Sequence, residues 1–105
     1  MNFDTSSLFD KQAKQLSKKF NLFKSDLENF VNNFEEYHAT ATNIKINLFK
    51  IRLSNSNKNR GKSAGYRIYY YLKVDEMVYL LTIYDKSQIE SINENVLIDL
   101  VKEFD

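Results

Sequence analysis

The chain predicts an α+β domain: an antiparallel sheet of three to four strands packed against an N-terminal helical hairpin, with a helix at the C-terminal end. Three observations carry that expectation. Apolar residues recur at helical spacing twice before residue 35, alternation takes over between residues 48 and 84, and helical spacing returns after residue 91. Helices gathered at the ends and strands in the middle mark segregated α and β elements rather than a βα repeat.

The first helix covers residues 8–20, where Phe9, Ala13, Leu16 and Phe20 share a face. Ser6 or Ser7 stands where a hydroxyl can cap its first turn. Asn21 interrupts the pattern. A second helix then sets Phe23, Leu27, Phe30, Val31 and Phe34 against Lys24, Asp26, Glu28 and Asn32 on the other side. So short a break favours an antiparallel pair, and its Phe-rich stripe requires a sheet to cover it. Residues 38–47 are polar, rich in Thr and Asn, and read as a connection entering a strand.

Residues 48–53 alternate, with Phe49, Ile51 and Leu53 on one side and Lys50 and Arg52 on the other. Residues 54–65 form a basic loop that contains both glycines. A strand over 66–73, a turn at 74–76 and a strand over 77–84 follow, and a short edge strand at 2–5 would be the fourth. The last helix spans 91–104, with Leu97, Leu100, Val101 and Phe104 as its stripe. Ser87 with Glu90, and Ser91 with Glu94, have capping-box spacing.

The 105 residues make a single domain, 1–105, with 43% hydrophobic and 28% charged residues. The absence of cysteine removes disulfides, thiolate zinc sites and cysteine nucleophiles, and fits a reducing cytoplasm. The first residues do not read as a secretory signal, and no apolar run suits a bilayer, so no membrane role is expected. The acids show no ligand spacing, so neither a metal nor a cofactor is expected.

Charge is distributed unevenly. Between Glu36 and Asp75 there is no acid, yet eight cations: Lys45, Lys50, Arg52, Lys58, Arg60, Lys62, Arg67 and Lys73. The net charge of +1 hides a basic middle that attracts polyanions. Strand alternation gathers Lys50, Arg52, Arg67, Tyr69, Tyr71 and Tyr84 on one sheet face, with Lys86 at the strand end and Lys58, Arg60 and Lys62 at the rim. On this reading Tyr79, Leu81 and Ile83 are core. Cations that hold phosphates and tyrosine rings that stack on unpaired bases suit single-stranded RNA. A solvated face would ordinarily mix signs.

The stretches Lys50-Ile-Arg-Leu, Arg60-Gly-Lys-Ser-Ala-Gly-Tyr-Arg-Ile-Tyr-Tyr-Tyr and Leu80-Leu-Thr-Ile-Tyr-Asp-Lys resemble the RelE/HigB-type toxins of bacterial toxin–antitoxin modules, as does the opening Phe9-Asp-Lys-Gln-Ala-Lys-Gln-Leu. The resemblance spans nearly the whole chain. It implies a RelE-like fold and an mRNA interferase, an endoribonuclease that cuts mRNA in the ribosomal A site. It also implies contact with the 16S rRNA of the 30S subunit, a cognate antitoxin protein as partner, and the bacterial cytoplasm as location. By position, the family's basic pair falls on Lys50 and Arg52, its arginine on Arg67 and its closing cation on Lys86. Some relatives use a tyrosine in the last helix where this chain has Ile92, and an acid where it has Gln88.

Attack of a ribose 2′-hydroxyl on the adjacent phosphate needs a base, charge stabilisation and an acid. The only histidine, His38, ends the second helix, which excludes a two-histidine mechanism. Arg67 does not deprotonate and is cast as phosphate clamp. Lys50 or Lys86, crowded by cations, serves as base or acid, and Tyr84 shares the proton transfer or stacks on a base. Two rivals stand beside this reading: a ParE-like gyrase inhibitor without catalysis, and a non-enzymatic RNA- or ribosome-binding module.

Overall fold

The structure, a computed structural model, describes residues 1–58, 64–73, 76–88 and 91–104. Its elements run β1 (Asn2–Thr5), α1 (Ser7–Lys19), α2 (Phe23–Asn32), α3 (Phe34–His38), β2 (Thr42–Lys45), β3 (Leu48–Leu53), β4 (Tyr66–Leu72), β5 (Met77–Asp85) and α4 (Glu94–Val101), with a 3₁₀ turn at Lys102–Phe104. The sheet has five strands in the order β1-β5-β4-β3-β2. It is mixed rather than antiparallel: β1 runs parallel to β5, while the other neighbours are antiparallel. The connection expected at 38–47 contains β2, which pairs with β3 across a two-residue turn whose second residue, Asn47, takes φ 63°. Asn tolerates that left-handed conformation better than most residues.

Local chemistry explains the helix boundaries. Ser6, not Ser7, caps α1: its Oγ accepts from the Phe9 amide at 2.9 Å and donates to the Leu81 carbonyl at 2.6 Å, which ties the helix start to β5. Ser7 instead turns to Glu103. The second helix stops at Asn32 because the Asn33 side chain bonds back to the Asn29 carbonyl at 3.0 Å, and a separate α3 begins at Phe34. At the C-terminal end Asn93 caps α4, so the Ser91–Glu94 capping box does not form its start, Glu90 of the other lies outside the described residues, and the helix is shorter than residues 91–104.

The two sheet faces carry separate cores. On one, Phe9, Leu16, Phe20, Phe23, Phe30 and Phe34 pack on Ile51, Leu53, Tyr66, Ile68, Tyr70, Val78, Leu80 and Ile83. Edge-on ring contacts such as Phe23–Tyr66 and Phe34–Tyr70 fill this layer. On the other face, Leu97 and Leu100 of α4 pack on Leu48, Tyr69, Leu81 and Tyr84. Lys73 Nζ donates to the Phe104 carbonyl at 2.7 Å and fastens the chain end to β4.

The assignment of Tyr79 and Leu81 to the helix side is corrected. A bulge between Tyr69 and Tyr70 leaves Leu81 without a partner in the register, so Val78, Leu80 and Ile83 face the N-terminal helices, while Tyr79, Leu81 and Tyr84 face α4. Gly65 ends the loop before β4. A Cβ there would lie 2.0 Å from the Leu53 carbonyl oxygen, so only glycine fits. Among the described residues no helix is long and apolar enough to cross a membrane.

Candidate nucleic-acid interface

Three neighbouring strands bring the basic residues to one face. The register sets Lys50 opposite Tyr69, Arg52 opposite Arg67, and Arg67 opposite Tyr84. Two arginines directly across a ladder repel each other, which concentrates positive potential at the middle of the face. Arg52 is exposed, whereas Arg67 is only 3% exposed and donates from Nη1 to the Tyr66 carbonyl at 3.1 Å. Burial, and then Arg52, lower the Arg67 pKa, with Tyr84 and Tyr69 opposing. The guanidinium keeps its charge all the same.

The tyrosines occupy a different environment from the open platform that alternation suggested. Tyr69 and Tyr84 are 3% and 4% exposed, with rings stacked at 6.2 Å and hydroxyls 3.5 Å apart, closed in by Leu97 and Leu100. Neither offers an open ring to a base. Burial, then the Tyr69 hydrogen bond, push the Tyr84 hydroxyl far above the ordinary tyrosine range, with Arg67 only partly offsetting this. At neutral pH Tyr84 is therefore a hydrogen-bond donor and not a base. Tyr71, half-buried, stacks on Tyr79, which in turn packs on Phe104 at 4.2 Å. Lys50 holds its ammonium 6.0 Å from the Tyr69 ring centroid.

Lys58, expected at the phosphate-binding rim, is engaged elsewhere. Its ammonium lies 2.8 and 2.9 Å from the two oxygens of Asp85, a carboxylate with no exposed surface, and 3.2 Å from Ser87 Oγ. Burial alone would raise the Asp85 pKa, but Lys58 and Ser87 outweigh it and hold the carboxyl below its usual value. The start of the loop is fastened as well: Asp26 accepts from the Ser56 amide at 2.9 Å and from its hydroxyl, and Asn57 accepts from the Leu22 amide. Asp85 was missed in the sequence, although it is the only acid in β3, β4 or β5. An acid among strand residues so poor in anions signals a buried cation partner.

Lys86 is exposed one residue past β5, its amide donating to the Gly65 carbonyl at 3.1 Å. Arg60 and Lys62 lie outside the described residues. His38 sits on the opposite side of the sheet, its Nδ1 2.7 Å from the buried Tyr70 hydroxyl and its ring stacked on Phe34. No protein-family model matches the chain, and no curated protein is similar to it in sequence.

Proposed function

We propose that the chain is the toxin of a bacterial type II toxin–antitoxin module, with a RelE-like fold, acting as a ribosome-dependent mRNA interferase. The observation that carries this reading is the Arg52–Arg67 pair held face to face between β3 and β4. Two guanidinium groups set across the ladder concentrate positive potential, and a phosphodiester is an anion that such a field attracts. Exposed Arg52 meets the phosphate, and buried Arg67 across the ladder adds its charge to the same point.

In the proposed reaction a 2′-hydroxyl attacks the adjoining phosphorus and the bond to the next nucleotide's 5′-oxygen breaks. The 2′-proton passes to a base, and the leaving oxygen takes a proton from an acid. Lys50 and Lys86 make these transfers, Arg52 and Arg67 stabilise the charge on the phosphorane, and Tyr84 contributes as a donor. Lys58 holds the loop rather than the substrate. The 30S subunit and its 16S rRNA orient the A-site mRNA, which lowers what the protein must supply. A cognate antitoxin restrains the toxin in the bacterial cytoplasm, and the reaction needs no metal or cofactor.

Primer extension on mRNA from a translation extract tests the reading. The wild-type chain should give discrete breaks within codons. Arg67→Ala and the exposed-site variant Arg52→Ala should each lower them by about 100-fold, with thermal unfolding recorded in parallel. Full cleavage by both variants would remove the arginine pair from the site. A second reading, a non-enzymatic RNA- or ribosome-binding module, is favoured by the burial of Tyr84 against Leu97 and Leu100 of α4, which keeps its hydroxyl from a scissile phosphate. It predicts halted translation with intact mRNA.

A further inference from the structure

We propose that the cavity between α1 and the far end of β5 is a nucleobase subsite that takes a base by an acceptor-bearing edge, best matched by O6 and N7 of guanine. The inference deepens the reading above and rests on it for the class of ligand. β1 stops at Thr5 whereas β5 continues to Asp85, so among the described residues no strand pairs with the outer edge of β5 beyond Leu80. The start of α1 takes over that edge. The Ser6 amide donates to the Leu80 carbonyl at 3.0 Å, and Gln12 Oε1 accepts from the Ile83 amide at 3.0 Å and from Thr82 Oγ1 at 2.8 Å.

This contact orients the Gln12 carboxamide. A backbone amide can only donate, so the oxygen must face Ile83 and the nitrogen, which carries two donors, is left on the cavity side. The cavity, about 180 Å³, has Leu16, Ile83 and Tyr84 as its less polar lining. Gln12, Gln15, Gln88 and Lys19 supply its polar groups. Lys19, like the Gln12 nitrogen, can only donate. Side-chain amides at the mouth of an apolar cavity can hydrogen-bond the edge of an unpaired base. Tyr84 links the cavity to the cations, since it lines the one and lies across from Arg67 in the sheet. A nucleotide with its phosphate near the arginine pair therefore has a place for a base at the sheet edge. Guanine presents two acceptors on its N7 edge, whereas adenine presents one acceptor and one donor.

Gln12→Glu keeps an oxygen for Thr82 and Ile83 while replacing the inward donor by an acceptor. The test is NMR titration of the full chain with GMP and, separately, AMP, following the side-chain amides of Gln12, Gln15 and Gln88. In the wild type GMP should shift these signals at a concentration at least tenfold lower than AMP, and Gln12→Glu should abolish or reverse that preference. Gln88→Ala and Gln15→Ala, at exposed positions, should each weaken GMP severalfold and cover the case in which Gln12→Glu fails to fold. No shift with either nucleotide at millimolar concentration, or a GMP preference unchanged by these variants, overturns the subsite. Primer extension separates this from the parent reading. Cleavage whose base preference survives Gln12→Glu overturns the subsite alone, whereas GMP-selective binding without mRNA cleavage upholds the subsite and overturns the interferase.

Discussion

A carboxylate with no exposed surface at the end of β5 has to be neutralised, and Lys58 does it from a loop that the charge pattern assigns to substrate. Removing that ammonium strands the charge. Lys58→Met should cost about 3 kcal/mol, the lower end for unpairing a buried ion, because Lys58 remains partly hydrated. Asp85→Asn in the same chain should recover part of the loss, and urea unfolding of the two single variants and the double variant measures the coupling. The pH dependence follows from the sign of the shift. Asp85 is held below its unfolded pKa, so its contribution is complete above about pH 4 and is lost as pH falls through the lower folded value. Asp85→Asn should therefore flatten the acid side of a stability–pH curve and leave its alkaline side unchanged. The identity of the cations was legible in the sequence, but their assignments were not. Periodicity gives the face of a strand residue and says nothing about what a loop lysine such as Lys58 will reach.

At the scale of elements, alternation placed Lys50, Arg52, Arg67 and Tyr84 on one side of β3–β5 correctly, because β3 and β4 pair without interruption. It misplaced Tyr79 and Leu81, because a single bulge inverts everything on one side of it and has no residue signature in Val-Tyr-Leu-Leu-Thr. The stripe of the last helix was legible too. Where that helix docks was not: an amphipathic helix needs an apolar surface, and both faces of this sheet offer one. Tyr69 and Tyr84 are buried for that reason. The junction where β3, β4 and β5 end depends on Gly65, whose Cα lies against the Leu53 carbonyl while its own carbonyl accepts from Lys86. Gly65→Ala should push β3 from β4 and destabilise the fold by about 3 kcal/mol, the upper range for overpacking, as read by chemical denaturation. On the proposed function, cleavage should weaken with it, since Lys86 follows the same junction.

Across the whole molecule, a small net charge coexists with a basic middle, and binding to RNA should expose that asymmetry. Single-stranded RNA affinity should fall with salt at a slope of about −0.7 per phosphate contact. Arg52→Gln should reduce the slope by roughly one contact, whereas Lys58→Gln should leave it unchanged because that ammonium is held by Asp85. Filter binding across a salt series distinguishes the two.

The parallel pairing of β1 with β5 joins Asn2 to Met77 and Thr5 to Leu80. β1 therefore waits for β5, the last of the described strands, before it can dock, and the hydroxyl of Ser6 waits with it. Helices α1 to α3 and the β2–β3 hairpin can form early from local contacts, but their Phe-rich stripe stays only partly covered until Val78, Leu80 and Ile83 of β5 emerge. Assembly is thus committed late and nearly all at once, and a nascent chain halted before residue 77 should be a ready target for proteases.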